Sequence, residues 1–230
     1  MKKQKTILSW STGKDSAWTL HKLKQDPNIE LVGLFSSINE AFQRVAMHAV
    51  RVELLKQQAK VAGTQKQPLP LDIISLPFPC SNDDYQKIMD DYFKELVARG
   101  IEQIAFGDLF LQDVRDYRIK QLKGTGLKPI FPLWGMDTKQ LSQTLVDNGV
   151  KAVTTCIDPK KLPHNFCGRD YNQAFLTDLS TLANPIDPCG ENGEFHTFVY
   201  DAPCFYEPLN ITTGEIVERG GFVFADVVLT

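Results

Sequence analysis

The sequence lacks the long apolar runs that membrane insertion or secretion requires. No stretch approaches the roughly 20 apolar residues of a membrane span. The apolar run 7–10 that follows the basic start is too short for the hydrophobic region of a signal peptide, and Lys14 and Asp15 follow it closely. We therefore expect a cytoplasmic protein that does not engage a membrane.

Cysteines are few, and their number is odd. No two of the five form a Cys-x-x-Cys pair, so neither a disulfide framework nor a zinc knuckle is favoured. Free cysteine is among the most buried residue types, and we expect reduced, mostly buried thiols. The five are Cys80, Cys156, Cys167, Cys189 and Cys204.

An excess of positive charge is also missing. The chain has 25 Lys and Arg against 28 Asp and Glu, a formal net charge of -3. Such a chain has no general electrostatic attraction to nucleic acid, which argues against nucleic acid as the main substrate. At 43% hydrophobic residues, the composition is otherwise that of an ordinary globular protein.

Strand-like and helix-like segments alternate through the first half of the chain. Short apolar runs predict strands, and apolar residues three or four apart predict helices. Strands separated by such helices form parallel sheets, so we predict an α/β fold with a doubly wound parallel sheet. The predicted strands are 6–11, 30–36, 71–76 and 102–106, and the predicted helices are 15–24, 48–62, 81–99 and 113–124.

The pattern changes past residue 110. Two prolines interrupt the apolar run 127–134, which is more typical of a domain junction than of a central strand. We therefore divide the chain into a nucleotide-binding domain, 1–130, and a smaller α+β domain, 131–230, that binds the substrate. The second part is predicted to hold a helix at 137–148, a strand at 150–156, a helical piece at 171–182 and a hairpin of 211–217 with 222–229.

Three predicted strands end in small or polar residues, where ligands gather in a parallel sheet. These ends are residues 9–13, Ser36-Ser37 and Gly107-Asp108. On this ground Ser9, Ser36 and Gly107 are candidates for nucleotide binding.

The segment 9–16 has the composition of a phosphate site. Small residues let backbone N–H groups face a ligand, and the start of the following helix adds partial positive charge. Hydroxyls of the serines and of Thr12 can donate to phosphate oxygens, and Lys14 can add a charge. A plain helix cap made by Ser and Asp is the alternative. The candidate residues are Ser9, Ser11, Thr12, Gly13, Lys14 and Ser16.

Asp15 separates this loop from a Walker A loop. Position 8 is Leu where the first Walker glycine would stand, and Asp15 replaces the hydroxyl that binds the metal. An acid beside a triphosphate needs a cation between them, so Asp15 is a candidate Mg2+ ligand.

The loop Ser-x-Gly-x-Asp-Ser after an N-terminal strand resembles the Ser-Gly-Gly-x-Asp-Ser loop of the PP-loop ATP pyrophosphatases. The resemblance implies a HUP-like fold and an enzyme that uses ATP with Mg2+ and releases pyrophosphate. The chain departs from the pattern at Thr12, where the family usually has glycine.

Within that superfamily, further motifs resemble the diphthine–ammonia ligase (diphthamide synthetase) family almost from end to end. Gly107-Asp108 with Arg115 and Arg118 looks like the family's Gly-Asp-Ile…Arg-x-x-Arg segment, and residues 132–137 (PLWGMD) match its Pro-Leu-Trp-x-x-Asp element. His48 resembles a family histidine near the active site. Arg115 and Arg118, spaced i, i+3, share a helix face and could clamp a phosphate together, with a solvated helix face as the alternative. His48 by itself is more often structural. The resemblance implies that Asp108 assists catalysis and that His48, Arg115 and Arg118 bind the nucleotide.

The run 189–198 (CGENGEFHTF) is close to the family's Gly-Glu-Gly-Gly-Glu-Tyr/Phe-Glu-Thr-Phe. Glu191 and Glu194 bracket two small residues, a turn that can aim two carboxylates at one point and suit a cationic group. A solvated hairpin turn is the alternative. By resemblance both acids are catalytic, and the acceptor is bound by Gly190, Asn192, Gly193, His196 and Thr197.

The implied reaction is ATP-dependent amide formation between a carboxylate and free ammonia, with AMP and pyrophosphate as products. The acceptor is a small molecule or a modified protein side chain, and a homodimer is one expected assembly. Asn192 replaces a family glycine and His196 stands where an acid is common, which predicts a different carboxylate. A PP-loop transfer-RNA sulfurtransferase and a non-catalytic ATP-binding regulatory module are the alternatives.

Overall fold

Alternating strands and helices form the first half of the chain, as the apolar periodicity predicts. The computed structural model describes residues 2–45 and 49–230. The elements in this half are β1 (Gln4–Ser9), α1 (Lys14–Gln25), β2 (Ile29–Asn39), β3 (Arg44–Val45), α2 (Val52–Val61), β4 (Leu71–Leu76), α3 (Asn82–Ala98), β5 (Gln103–Ala105), α4 (Gln112–Leu122) and β6 (Lys128–Ile130).

These strands build one sheet in which β1 lies between β2 and β5. All three pair in parallel, as do β4 on the other side of β2 and β6 beyond β5; the short β3 pairs antiparallel with the end of β2. The predicted α/β fold with a parallel sheet is confirmed. Because the strands are parallel, the carboxyl ends of β1 and β5 open at the same edge of the sheet.

Two local expectations were wrong. The helix predicted from residue 48 begins at Val52, since Arg51 has an extended backbone and bridges Arg44. Ser36 and Ser37 lie inside β2 rather than at its end. The run 127–134 was not expected to form a central strand, and it does not: residues 128–130 form β6 at the sheet edge, where Pro129 is tolerated.

The second half forms a four-stranded antiparallel sheet in the order β8-β7-β10-β9. Sequence reasoning identified β7, the hairpin of β9 and β10, and both helices, but it did not place β8. The elements are α5 (Thr138–Asp147), β7 (Lys151–Ile157), α6 (Gln173–Ser180), β8 (Phe195–Asp201), β9 (Ile211–Arg219) and β10 (Phe222–Leu229), with a 3-10 turn at His164–Phe166.

One hydrophobic core joins the two sheets. Leu8 and Leu20 of the first half belong to the same buried cluster as Val153 and Phe198 of the second. A separate cluster, which includes Ile7, fills the other face of the parallel sheet. The division at residue 130 remains a prediction, and the shared core brings β8 against the loop between β1 and α1.

All five cysteines are free, and all except Cys80 are buried, in agreement with the expected reduced thiols. In residues 2–45 and 49–230 we find no helix with the length and apolar character needed to cross a bilayer.

Candidate functional site

Helix α1 begins directly after the loop 10–13, and no side chain of that loop caps it. Gly13 occupies the cap position with an extended backbone and makes no side-chain cap hydrogen bond. The plain Ser/Asp cap is therefore not what this segment forms. The Ser16 hydroxyl donates to the Gly13 carbonyl at 2.9 Å, and the Ser11 hydroxyl donates to Ser16 Oγ at 3.2 Å. At this helix end the Lys14 N–H donates to Thr197 Oγ1 at 3.2 Å, and the positive end of α1, which has no cap from its own loop, favours an anion.

Thr12 has a backbone φ of +73°, in the left-handed region. A residue with a Cβ pays about 1–2 kcal/mol there, which explains why glycine suits this position. The Thr12 side chain is fully buried, and its hydroxyl has no hydrogen-bond partner among the described residues. Two cavities adjoin this loop, and Thr12 lines neither of them. The expected donation from this hydroxyl to phosphate therefore does not fit the geometry.

Lys14 is buried beneath the loop and turned towards the second half of the chain. Its Nζ lies 2.8 Å from Asp15 Oδ2 and also donates to the Cys189 carbonyl. The rings of Tyr171 and Phe195 lie 5.7 and 5.5 Å from Nζ. Burial alone would lower the pKa of Lys14, but Asp15 and the other nearby acidic groups outweigh it and raise the pKa. The charged Lys14 side chain therefore connects the loop after β1 with the loop that contains Cys189.

A cavity of about 470 Å³ opens where the carboxyl ends of β1 and β5 meet the loop 189–197. Three predicted motifs, separated by most of the chain, therefore share one space. The predicted site residues that line it are Ser9, Ser11, Lys14, Asp15, Ser16, Gly107, Asp108, Arg118, Gly190, Glu191, Gly193, His196 and Thr197.

Asp15 and Asp108 line this cavity, and each has one carboxylate oxygen without a hydrogen bond to any described residue. Oδ1 of Asp15 and Oδ2 of Asp108 are buried and have no hydrogen-bond partner in the described part of the chain. Burial raises the pKa of Asp108, the nearby Arg118 opposes this rise, and Asp15 adds to it. Gly107 permits the approach, since a Cβ there would lie 3.0 Å from Thr19 Oγ1 and 3.3 Å from the Asp15 backbone.

The two arginines of α4 have separate surroundings. Arg118 lines the large cavity, and its Nε lies 3.8 Å from Asp108 Oδ2. The guanidinium of Arg115 stacks 4.6 Å from the Trp134 ring centroid and lines neither cavity. Of the two arginines, Arg118 is the one that lines the cavity, so the expected joint clamp on one phosphate would require Arg115 to leave Trp134.

A second, smaller cavity of about 160 Å³ adjoins the first and shares Ser9, Ser11 and Arg118 with it. Ser36 lines this space, and its buried hydroxyl has no hydrogen-bond partner among the described residues. Apolar side chains, including Phe35, form much of the wall. His48, the remaining nucleotide candidate, lies outside the described residues.

Glu191 and Glu194 do not point at one place, contrary to the expectation from their turn. Glu191 lines the cavity, whereas the Glu194 carboxylate is buried and accepts hydrogen bonds within its own loop. The donors are the backbone N–H groups of Asp187 (3.2 Å) and Asn192 (2.9 Å) and the Asn192 amide (3.2 Å). Glu194 therefore shapes the loop, and the Asn192 side chain is used in the same way.

Burial, followed by the charge of Asp15, raises the pKa of Glu191 to about 8, although Lys14 opposes the rise. The folded protein therefore holds a proton on Glu191 at pH values where the unfolded chain has released it. This contribution to stability is complete below the unfolded pKa and is lost as pH rises towards 8.

We expect the free energy of unfolding, measured in urea without ligands, to fall less between pH 6 and pH 9 in Glu191→Gln than in the wild type. Equal slopes would contradict the assignment.

Gly190 has a backbone φ of +73° and lies where its loop passes close to Phe195. A Cβ there would lie 2.7 Å from the Phe195 carbonyl oxygen, whereas one on Gly193, also at positive φ, would meet nothing within 4 Å. We expect Gly193→Ala to cost about 1 kcal/mol from the backbone alone, and Gly190→Ala to cost about 2 kcal/mol or more from added contact. Urea denaturation of both variants measures this difference, and equal losses would show that the contact is relieved without cost.

Sequence reasoning missed Gln58, which lies beneath the loop. It is 0% exposed and bonds to Thr12 and to β8. A glutamine within an otherwise amphipathic helix was the available signal, and it is a weak one. Strand β8 is joined to the loop by a hydrogen bond in which Thr197 Oγ1 accepts from the Lys14 N–H at 3.2 Å. No pattern in the local sequence predicts this contact.

Comparison with known proteins agrees with the motifs. Residues 4–129 match the diphthamide synthase N-terminal domain, and residues 137–226 match the diphthamide synthase C-terminal domain. The chain is 25% identical to the diphthine–ammonia ligase of Bos taurus over 152 residues, covering 64% of this chain and 56% of that protein. It is 23% identical to the Homo sapiens diphthine–ammonia ligase over 190 residues, covering 81% and 70%. The match to the bovine relative therefore spans just over half of that protein's length.

Proposed function

The chain belongs to the diphthamide synthase family, and from that premise we propose that it is an ATP-dependent ligase. It would adenylate a carboxylate, release pyrophosphate and let ammonia displace AMP to form an amide. The relatives named diphthine–ammonia ligase support a ligase reaction of this class.

The observation that carries the proposal is the meeting of three motifs at one cavity. The start of α1, which no side chain of its own loop caps, favours phosphate, and the loop that holds Glu191 forms the opposite wall. Arg118 adds a positive charge beside the space where a phosphate would lie. A nucleotide and an acceptor can therefore be held face to face, and catalysis would come mainly from positioning and charge neutralisation.

The donor set fits Mg2+. Asp15 and Asp108 each offer a buried carboxylate oxygen without a hydrogen-bond partner among the described residues. Over residues 2–45 and 49–230, no group of three or more His, Cys, Asp or Glu could hold a metal. Mg2+ needs fewer protein ligands, because it commonly uses one or two carboxylates together with substrate phosphates. When bound there, it would neutralise the charge that develops on pyrophosphate.

The smaller cavity suits the nucleoside part of ATP. It adjoins the phosphate loop, its wall contains Phe35 and Phe106, and the Ser36 hydroxyl can bond to a polar edge. Because Arg118 lines both cavities, it would lie near the junction between nucleoside and phosphates.

Glu191 is suited to handle the nitrogen source. Ammonium must lose a proton before its nitrogen can attack, and a base with a pKa near the working pH accepts that proton best. Burial raises the pKa of Glu191 into this range, and its carboxyl lies in the cavity wall. Nearby, His196 and Thr197 would contact the acceptor, which is a small carboxylate or a modified protein side chain.

Cys189 argues against the sulfurtransferase alternative. It is the cysteine that lines the cavity, but burial raises its pKa, so the thiol stays protonated. A sulfur carrier needs a thiolate, and the environment of Cys189 disfavours one.

Turnover distinguishes the ligase from a regulatory module. The purified chain would be incubated with ATP, Mg2+, ammonium and a panel of carboxylates, and AMP and pyrophosphate would be measured. Equimolar products that need both ammonium and a particular carboxylate are expected for the ligase. Stable ATP binding without turnover across the panel would favour the module.

A further inference from the structure

The Gln58 amide on α2 makes three hydrogen bonds in a site with no solvent access. Its Oε1 accepts from the Trp10 indole N–H at 2.9 Å. Its Nε2 donates to the Thr12 carbonyl at 3.0 Å and to the Val199 carbonyl at 2.6 Å. One side chain thus joins α2, the loop after β1, and β8 of the second half.

The Thr12 carbonyl is held twice. It accepts from Gln58 and also from the Val199 N–H at 3.0 Å. Thr12 is the loop residue whose φ of +73° is disfavoured for a side chain. Such a conformation persists when surrounding contacts enforce it, and these two bonds are contacts of that kind.

The direction of this carbonyl matters for an anion site. Thr12 is fully buried and lines neither cavity, and its carbonyl bonds towards α2 and β8. A peptide that flipped towards the cavity would present oxygen to a phosphate in place of N–H groups and repel it. The two hydrogen bonds that hold the Thr12 carbonyl away from the cavity therefore favour the anion-binding form of the loop.

A packing role alone does not account for Gln58. Burying an amide is costly unless every polar atom is bonded, and an apolar residue would fill the space without that demand. The hydrogen bonds of Gln58 instead connect Trp10 and Thr12 of the loop after β1 with Val199 of β8.

We infer that Gln58 is a positioning residue of the phosphate loop, which acts through the Thr12 carbonyl to hold the loop in the form that binds a triphosphate. The inference rests on the proposed function, because it assumes that the ligand of this loop is ATP.

The test compares Mg-ATP affinity and amide exchange in three variants. Gln58→Met keeps the length of the side chain and removes its amide. Leu96→Ala, in the separate core cluster on α3, serves as a control for general destabilisation. The double variant Gln58→Met with Thr12→Gly tests whether the loop still depends on the hydrogen bonds of Gln58 when position 12 is a glycine, which adopts positive φ freely.

We expect Gln58→Met to weaken Mg-ATP binding about tenfold or more and Leu96→Ala to change it less than about twofold, with the two bonds to Thr12 as the cause. Thr12→Gly should recover most of the loss, which a merely structural role of Gln58 would not predict. The amides of Lys14 and Val199 should also exchange faster, relative to those of β1, in Gln58→Met.

Unchanged affinity and unchanged exchange in Gln58→Met would overturn the inference, as would an equal loss in Leu96→Ala or a double variant without recovery. If the wild type does not bind Mg-ATP, the proposed function fails, and the exchange of Lys14 and Val199 alone decides whether Gln58 holds the loop. If Gln58→Met does not fold, Gln58→Asn, whose shorter amide cannot span both carbonyls, takes its place with the same expectations.

Discussion

Asp15→Asn is expected to reduce ATP-dependent pyrophosphate release by at least about a hundredfold. The substitution keeps the shape of the side chain and removes the charge. In the wild type, Asp15 Oδ1 is buried and has no hydrogen-bond partner among the described residues, while Oδ2 bonds to Lys14. Oδ1 is therefore available to a cation, and a neutral amide would hold Mg2+ far less strongly beside a triphosphate.

The control for this experiment is Asp113→Asn, which changes an exposed acid in the first turn of α4, away from both cavities. It should release pyrophosphate at the wild-type rate. Asp15→Asn also leaves buried Lys14 without its counter-charge, so the rates must be compared at a temperature where circular dichroism shows both variants folded. A folded Asp15→Asn variant with normal release would refute the assignment of Asp15.

Lys14→Met is expected to lower the free energy of unfolding by about 3–5 kcal/mol, the cost of breaking a buried ion pair from one side. Lys14 is 2% exposed and bonds to Asp15 and to the Cys189 carbonyl. Without it, the acidic groups around the cavity lose the cation that balances them. Because Lys14 also opposes the raised pKa of Glu191, the difference from wild type should grow as pH rises above 8, where the wild-type Glu191 is ionised.

Lys24→Met provides a matched control in urea denaturation. Lys24 also bridges the two halves, donating to the carbonyls of Ala62 at 2.6 Å and Cys204 at 2.8 Å, but no acid pairs with it among the described residues. Its removal should cost about 1 kcal/mol, the scale of ordinary hydrogen bonds, with no change in that cost near pH 8. Equal losses in the two variants would mean that Lys14 acts as a tether between loops and that its charge contributes little.

The loop 9–16 shows what can be predicted from local sequence. A strand, a short run of small residues and a helix follow from apolar spacing and residue size, so the position of residues 9–16 at a strand end was predictable. The same reasoning anticipated Gly107-Asp108 at a strand end, and the parallel sheet explains why this pair meets the loop. Glu191 was singled out by resemblance to the family, since its own sequence also fits a solvated turn.

Glu194 and Ser36 show where such reasoning stopped. The sequence 191–194 is compatible with two converging carboxylates, yet Glu194 folds back onto the N–H groups of its own loop, because a buried acid is more stable when fully bonded. Ser36 lines its cavity from inside a strand, since β2 continues to Asn39.

By itself, the sequence determined the α/β class, the loop of small residues with its acid at a strand end, and the membership of a family, because these depend on patterns within short segments. The tertiary structure alone decided how Lys14 is used, which of two glutamates faces the cavity, and that Gln58 and β8 hold Thr12 in place. The bonds of Glu194 stay within its own loop, whereas those of Lys14 to Cys189 and of Gln58 join residues 46 to 175 positions apart. In both cases the directions of buried polar groups are set by whichever partners the fold brings within reach.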